Sequence, residues 1–337
     1  MATVDYTCVC GKQMRFKAEH AGKKTRCPDC EATIIVPSSA AEVDVEDYEE
    51  AEDADDHGRA AGGRAATKRR KRSQDDSDIS CETLRDPSEG TAFAWLIFFS
   101  IFCWLGVIAL IVGSLGVALL FIGLIALARY FAELFAVAYI KTNAVEVTER
   151  QFPEIYSIAE SFAARLNEPL PTIYVLQENI WNAFAMKIAG MKLVVLLSGA
   201  VDSLLLKGSL NQLAFVIGHE LGHHYAGHLN FWRHTTVIFG SWFVWVGLWY
   251  QRRCELTCDR YGLACANSLA ESLRAVCNLA VGAQLASEVN IAEAVAQWRR
   301  HRSEFFVKYR TLYSTHPHNL WRLLELQESA EELGIPK

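Results

Sequence analysis

Charged residues are absent from one stretch of the chain, residues 90–128, a run of 39 positions. As a helix this run would be ~58 Å long, about twice the ~30 Å hydrocarbon thickness of a bilayer. The segment Gly-Ser-Leu-Gly at 113–116 lies near its middle and offers a turn. The pattern therefore predicts a transmembrane hairpin over residues 91–140, with helices at roughly 92–112 and 115–135.

Downstream of the hairpin, apolar residues recur at helical spacing within residues 209–229, which predicts an amphipathic helix. Ser209 followed by Gln212 has the sequence of a capping box, so we expect the helix to begin there. Four side chains of the apolar stripe are expected to face a core: Leu213, Val216, Ile217 and Leu221.

The remaining pattern of residues 145–337 predicts an α+β domain that is mostly helical and carries one small sheet beside the helix at 209–229. The predicted elements upstream of that helix are a helix at 150–167, strands at 172–177, 183–188 and 192–197, and a helix at 199–206.

A second uncharged segment, residues 235–250, has 16 residues, which is short for a membrane span. We expect a single helix there, either packed in the core or dipping into the bilayer beside the hairpin.

The N-terminal residues 1–37 are polar and carry two cysteine pairs, Cys8 with Cys10 and Cys27 with Cys30. Four thiolates in two close pairs predict a closed tetrahedral site for one structural Zn²⁺ in a zinc ribbon, with short strands at 14–16 and 33–36. Free or redox-active thiols are the alternative. The segment has neither an aromatic stacking set nor a long basic face, so a protein partner is favoured over nucleic acid.

Residues 38–90 have the composition of a disordered, charged linker. Ten of the fifteen residues from 42 to 56 are acidic, and the basic run Lys-Arg-Arg-Lys-Arg follows at 68–72. A basic run just before a membrane hairpin places both termini in the cytoplasm by the positive-inside rule. The first 35 residues have no apolar signal sequence, and the scattered cysteines favour a reducing compartment.

The chemistry-bearing segment is His219-Glu220-Leu-Gly-His223. On a helix the two histidines lie one turn apart on the same face and can bind one Zn²⁺. Glu220 is then placed to hold and deprotonate a zinc-bound water. The neighbouring His224 and His228 point elsewhere, and we expect them to be structural or solvent-facing.

A third metal ligand is predicted in the segment Arg-Arg-Cys-Glu255-Leu-Thr-Cys-Asp259-Arg, where the two carboxylates lie one helical turn apart. The pattern places Glu255 on the metal and Asp259 where it can orient a ligating histidine. A charged helix face with ordinary salt bridges is the alternative. The other known third ligand, a histidine six residues after His223, is excluded because Leu229 stands there.

The chain resembles the membrane gluzincin family that includes the heat-shock protease HtpX and the CAAX prenyl proteases. The resemblance covers about residues 90–330 and is carried by four ordered motifs: His219-Glu-Leu-Gly-His223, Glu255-x-x-x-Asp259-Arg260, Asn182-Ala-Phe, and Ser314-Thr-His316-Pro317 with Arg322.

The resemblance implies a zincin-like catalytic domain that hydrolyses peptide bonds. We expect a zinc metalloendopeptidase in the cytoplasmic or inner membrane, with its site on the cytoplasmic side, acting on membrane or misfolded proteins. Asn182 is expected to bind extended substrate and His316 to stabilise the oxyanion or cap the zinc, although both could be ordinary loop residues. The alternatives are a non-catalytic zinc-bearing scaffold and a prenyl-protein processing protease.

Overall fold

A computed structural model describes most of the chain, which divides into two units, Met1–Arg70 and Lys71–Lys337, each considered by itself. The described residues are 79–178, 182–188, 190–206 and 208–336, together with the segments 3–7, 13–17, 24–26 and 33–35 and Pro28.

The described residues of the first unit form two antiparallel strand pairs. Strands β1 (Thr3–Thr7) and β2 (Gln13–Lys17) form one pair, and β3 (Lys24–Arg26) and β4 (Thr33–Ile35) form the other. The strands predicted at 14–16 and 33–36 are therefore present, and each has a partner strand. The predicted zinc ligands Cys8, Cys10, Cys27 and Cys30 lie outside the described residues.

The predicted hairpin is present as helices α1 (Glu89–Gly113) and α2 (Val117–Asn143), and both are long and apolar enough to span a membrane. The turn between them includes Gly116, whose φ of 85° favours glycine. Helix α2 runs further than predicted. Its last turns bury Val137 and Ile140 against the sheet of the second unit, so this end of the helix packs on protein.

That sheet has four strands in the order β5-β6-β8-β7. Strand β6 pairs in parallel with β8, whereas the other two pairings are antiparallel, and β7 forms an edge. Strand β5 (Ala144–Glu146) was not predicted. The other strands and the helices packed near them lie close to the predicted positions: α3 Pro153–Leu166, β6 Thr172–Leu176, β7 Ala183–Ile188, β8 Met191–Leu197 and α4 Ser198–Leu206.

Helix α5 (Leu210–Tyr225) lies at the centre of the second unit, and its predicted apolar stripe is buried. The helix ends earlier than predicted, because the chain turns at Gly227 with φ 74°. Ser209 precedes the helix, but its side chain makes no capping hydrogen bond, so the prediction of a capping box is wrong. The helices that follow are α6 Phe231–Gly240, α7 Val244–Ala266, α8 Leu269–Val281, α9 Ile291–His301, α10 Phe305–Leu312 and α11 Asn319–Leu333.

The single helix predicted over residues 235–250 is wrong. Helix α6 ends at Gly240, and α7 begins at Val244 after a turn. Both sides of this turn pack on α1: the Ser100 hydroxyl donates to the Thr236 carbonyl at 2.8 Å, and the Phe99 and Phe243 rings lie 4.3 Å apart. The uncharged apolar pattern of this segment would allow one continuous helix, but packing of the segment against α1 is accompanied by a turn that divides it into two helices.

The predicted linker ends before residue 90, because residues 79–88 are part of the second unit and pack against its helix α7. Leu84 is fully buried, the Asp86 amide donates to Thr257 Oγ1 at 3.0 Å, and the Tyr261 hydroxyl donates to the Cys81 carbonyl at 3.0 Å. These contacts attach the segment that precedes α1 to helix α7.

Candidate metal centre and catalytic cleft

Three glycines allow helices α5 and α7 to approach closely. A Cβ atom on Gly218 would lie 2.4 Å from Cys265 Cβ, and one on Gly222 would lie 2.9 Å from Tyr261 Cβ. Across the same contact, a Cβ atom on Gly262 would lie 2.7 Å from the Phe215 carbonyl oxygen. Any larger residue would push the helices apart, so these glycines set the distance between the two helices that carry the predicted ligands.

The close approach brings Glu255 of α7 to the two histidines of α5. One carboxylate oxygen of Glu255 lies 3.5 Å from His219 Nε2, and the other lies 3.8 Å from His223 Nε2. Donors bound to one tetrahedral Zn²⁺ at ~2.0–2.2 Å are separated by roughly 3.3–3.6 Å. Two imidazole nitrogens and a carboxylate in this arrangement fit a zinc ion.

Asp259 fixes the orientation of His219. Its Oδ1 accepts a hydrogen bond from His219 Nδ1 at 3.0 Å, which leaves Nε2 facing Glu255. Arg322 of α11 holds the same carboxylate through two bonds, from Nε at 2.8 Å and Nη2 at 2.5 Å. A bidentate guanidinium fixes the carboxylate plane, so the chain Arg322–Asp259–His219 selects one tautomer and one ring orientation.

The two histidines differ in their protonation in the metal-free protein. Burial lowers the pKa of His219, but its hydrogen bonds to Asp259 and Glu255 outweigh burial and raise that pKa to about 10. Burial lowers the pKa of His223 to about 3, so this imidazole is neutral. Although burial opposes it, the hydrogen bond to His219 and the positive charge of that ring hold the pKa of Glu255 well below its usual range.

Glu220 is buried beside the histidines and faces the cleft. Burial raises the pKa of its carboxyl to about 7, and the backbone N–H of Ala185 in β7 donates a hydrogen bond to it. A carboxylate with a pKa near neutrality both accepts and returns a proton readily, which suits a general base.

These side chains line a cleft of about 570 Å³ between α5 and the edge strand β7. Asn182 and the first residues of β7 form one wall, and His316, Pro317 and Arg322 lie on the opposite side. Because β7 pairs only with β8 among the described strands, its other edge is open along this cleft. The cleft therefore combines the candidate metal ligands with a strand edge that can pair with extended peptide.

His316 lies at the rim of the cleft. Its Nε2 is 3.7 Å from Glu255 Oε1, and its Nδ1 lies 2.8 Å from the Thr315 hydroxyl. The imidazole is 68% exposed, in contrast to the buried histidines of α5. The structure thus brings the predicted site residues of the second unit to one cleft. Asp259 does not line the cleft but contacts His219, which does.

The sequence profile of peptidase family M48 matches residues 149–237 and 230–330, which together make up more than half of the chain. The chain belongs to peptidase family M48. This match includes α5, α7 and the His316 segment, so the family assignment rests on the part of the chain that forms the cleft.

Curated M48 relatives include HtpX homologues. The protease HtpX homolog of Arthrobacter sp. (strain FB24) is 39% identical over 82 residues, 24% of this chain and 27% of that protein. The plastoglobule-localized metallopeptidase 48 of Arabidopsis thaliana is 25% identical over 211 residues, 56% of this chain and 60% of that protein. The chain thus spans about a quarter to three fifths of the length of these relatives. No solved structure matches it significantly.

Sequence reasoning missed a buried cluster behind the candidate metal centre. His228 was expected to be structural or solvent-facing, and its side chain is only 6% exposed. Its Nδ1 lies 3.3 Å from His223 Nδ1 and 3.6 Å from the Cys258 sulfur. Burial raises the pKa of the Cys258 thiol, so the sulfur is neutral beside the two histidines. His224 is also buried, with Nε2 3.0 Å from the Leu193 carbonyl oxygen.

Glu89, His228 and Cys254 also lie close enough together to hold a metal ion. Glu89 already binds cations: it accepts from Arg85 at 3.0 Å and pairs with Arg233. A divalent cation there would be repelled by two guanidiniums, so this group is an ion-pair cluster and not a second metal centre.

Proposed function

We propose that this chain is a membrane-anchored zinc endopeptidase that hydrolyses peptide bonds of membrane or misfolded proteins. The observation that carries the proposal is the convergence of His219, His223 and Glu255 on one point beside Glu220. Membership of peptidase family M48 supports zinc-dependent peptidase chemistry. The two apolar helices and the HtpX homologues support a membrane location. We place the cleft and both termini on the cytoplasmic side because basic residues flank the outer ends of the hairpin.

In the proposed mechanism His219, His223 and Glu255 would hold a zinc ion, and Asp259 with Arg322 orients His219. The ion, when bound, supplies a Lewis acid that polarises the scissile carbonyl and acidifies water. Glu220 accepts a proton from the attacking water and passes it to the leaving amine. The Ala185 N–H keeps the Glu220 carboxylate directed into the cleft.

We propose that substrate binds as an additional strand on the open edge of β7, with Asn182 at one end of that strand. The amide of Ala183 already donates to Asn182 Oδ1 at 2.9 Å, so the side-chain NH₂ group is left to donate to a peptide carbonyl. His316 is placed to stabilise the oxyanion or to cap the metal, since its Nε2 points at Glu255.

For the first unit we propose a zinc ribbon with Cys8, Cys10, Cys27 and Cys30 as ligands of one structural Zn²⁺. The cysteine spacing and the two strand pairs that flank the cysteine segments support it. Cysteine-to-serine substitutions that leave the zinc content of the full chain unchanged would reject this site. The favoured role of the ribbon is to bind a partner protein.

The peptidase proposal is tested by Glu220→Gln in the full chain reconstituted in nanodiscs. Glutamine has nearly the same size and shape as glutamate but cannot accept the proton, and the three candidate zinc ligands are unchanged. The zinc content is therefore expected to equal that of the wild type, while casein cleavage is lost. Equal casein cleavage by variant and wild type would contradict the role of Glu220. A wild-type protein with full zinc and no cleavage of any unfolded substrate would instead favour a scaffold.

A further inference from the structure

Helix α10 carries an aromatic ridge that the described part of the protein leaves uncovered. Phe305 is 73% exposed, Phe306 79% and Tyr309 54%, and the helix buries none of its residues. The opposite side faces the protein, where Thr311 Oγ1 lies 3.1 Å from His318 Nε2. Three large aromatic side chains on one side of an eight-residue helix mark a surface that binds something.

Basic residues flank this ridge. Successive helical positions lie about 100° apart, so Lys308 and Arg310 project on either side of Tyr309. The end of α9 adds further positive charge, because residues 299–313 contain five Lys or Arg against the single acidic residue Glu304. Glu304 itself pairs with His301 at 2.5 Å. An aromatic stripe bordered by cations is the pattern of a helix that lies in the interface of an anionic membrane.

The position of α10 relative to α1 supports the same partner. The Tyr313 ring at the end of α10 contacts the Trp245 ring in the first turn of α7, with 6.4 Å between centroids. Two residues before Trp245, the Phe243 ring lies 4.3 Å from Phe99 of the candidate span α1. The ridge is therefore continuous with aromatic side chains that pack on the candidate span.

We propose that α10 and the basic end of α9 form a binding face for the anionic lipid surface of the bilayer. We call residues 299–313 the lipid face. Phe305, Phe306 and Tyr309 enter the headgroup region, and Lys308 and Arg310 contact lipid phosphates. The inference rests on the placement of α1 in the bilayer and does not depend on peptidase activity.

The lipid face borders the candidate active site. Helix α10 ends four residues before His316, and Arg252 Nη1 of α7 donates to the Ser314 carbonyl in this connection at 2.6 Å. A helix held at the bilayer surface would therefore keep the His316 rim of the cleft next to the membrane, where exposed segments of membrane proteins become available.

The test is photo-crosslinking of the full chain in nanodiscs of phosphatidylcholine with or without phosphatidylglycerol. The photo-reactive residue p-benzoyl-phenylalanine replaces Phe306, and lipid adducts are counted by mass spectrometry. We expect lipid adducts in both kinds of nanodisc and more with phosphatidylglycerol. Because a basic residue near an anionic surface is worth ~1 kcal/mol, K308E and R310E should each lower the phosphatidylglycerol adduct by about fivefold.

Two controls make the result decisive. The same photo-reactive residue at exposed Glu331, near the C-terminal end of α11, should give only background lipid adducts. The charge reversal R150E, at an exposed position in the turn after β5, should leave the Phe306 adducts unchanged. Adducts at position 306 that contain only protein, from a second copy or a partner, would overturn the proposal, as would lipid adducts no more abundant than those at position 331.

Discussion

His228 Nδ1 lies 3.3 Å from Nδ1 of His223, the ring nitrogen that points away from Glu255. On its other side, His228 Nε2 lies 3.4 Å from Glu89 in the first turn of α1. His223 thus has an outer partner, as His219 has Asp259, and this partner is held by the start of the candidate span. The orientation of both candidate ligand histidines therefore depends on buried groups outside the candidate ligand set.

Replacing His228 with alanine is expected to weaken zinc binding about tenfold to a hundredfold, the usual effect of removing such an outer partner. The His223 ring would lose the group that fixes its rotation. Zinc affinity is measured by competition with a chromophoric chelator in the full chain. A variant without both ligand histidines serves as the reference for any zinc bound in the first unit.

The adjacent His224 provides the matched control. It is buried on the same helix, but its ring contacts the Leu193 carbonyl of β8 at 3.0 Å. His224→Ala is expected to lower the free energy of unfolding and to leave zinc affinity near that of the wild type. Equal losses of zinc affinity in the two variants would contradict a specific positioning role for His228.

Zinc binding near neutral pH is expected to release at least one proton. His219 has a pKa of about 10, raised against burial by its bonds to Asp259 and Glu255, so the metal-free protein carries this proton at pH values below about 10. The imidazole must be neutral to bind the metal, so the proton leaves. Calorimetric titration in buffers of different ionisation enthalpy measures the number released. Asp259→Asn should reduce it, and a heat that does not depend on the buffer would contradict the prediction.

Because α5 and α7 are in close contact, we expect a glycine-to-alanine substitution there to lower the free energy of unfolding, the opposite of what helix propensity predicts. Alanine in place of glycine within a helix normally stabilises by about 0.5–1 kcal/mol. At Gly218 the new methyl group would meet Cys265 and the Tyr261 carbonyl, so G218A is expected to destabilise by about 1–3 kcal/mol and to move Glu255 away from the histidines.

Denaturant unfolding in detergent and zinc content are the two measurements for G218A. The control is G106A in α1, where a Cβ atom has no neighbour within 4 Å. It should leave the zinc content at the wild-type value and raise the free energy of unfolding by about 0.5–1 kcal/mol, as helix propensity alone predicts. A G218A variant that is as stable as the wild type and retains its zinc would show that the contact does not set the site geometry.

The sequence alone predicted the parts of the site that depend on local periodicity. Helical spacing places His219 and His223 on one face, and the same rule applied to α7 relates Glu255 to Asp259. The two apolar helices and the three main strands of the sheet also follow from local patterns. These features need no knowledge of distant contacts, so a single sequence is sufficient to predict them.

The features that were missed all depend on contacts between distant parts of the chain. The burial of His228 requires Glu89, and the pairing of Arg233 with Glu89 joins residues 144 positions apart. The break between α6 and α7 follows from packing on α1. Helix α2 extends beyond its predicted end because Val137 and Ile140 pack against the sheet. No local pattern contains this information, since tertiary packing overrides propensity at each of these points.

Replacing Glu89 with glutamine tests whether α1 is held to the peptidase unit by its buried charge. Glu89 is 1% exposed and accepts from Thr257 Oγ1 at 2.6 Å, from Arg85 at 3.0 Å and from Arg233. Loss of the carboxylate leaves Arg233 unpaired in a largely buried site, so E89Q is expected to lower the free energy of unfolding by about 3–5 kcal/mol.

The matched control for E89Q is E293Q, because Glu293 forms an exposed pair with Arg300 at 3.8 Å and such pairs contribute only about 0.2–1 kcal/mol. Denaturant unfolding of the full chain in detergent measures both variants. E89Q should also weaken zinc binding, since His228 loses the partner that steadies it against His223. C254S should keep wild-type zinc content, because Cys254 belongs to the ion-pair cluster. A C254S protein that loses zinc while E89Q remains stable would instead make this cluster a metal site.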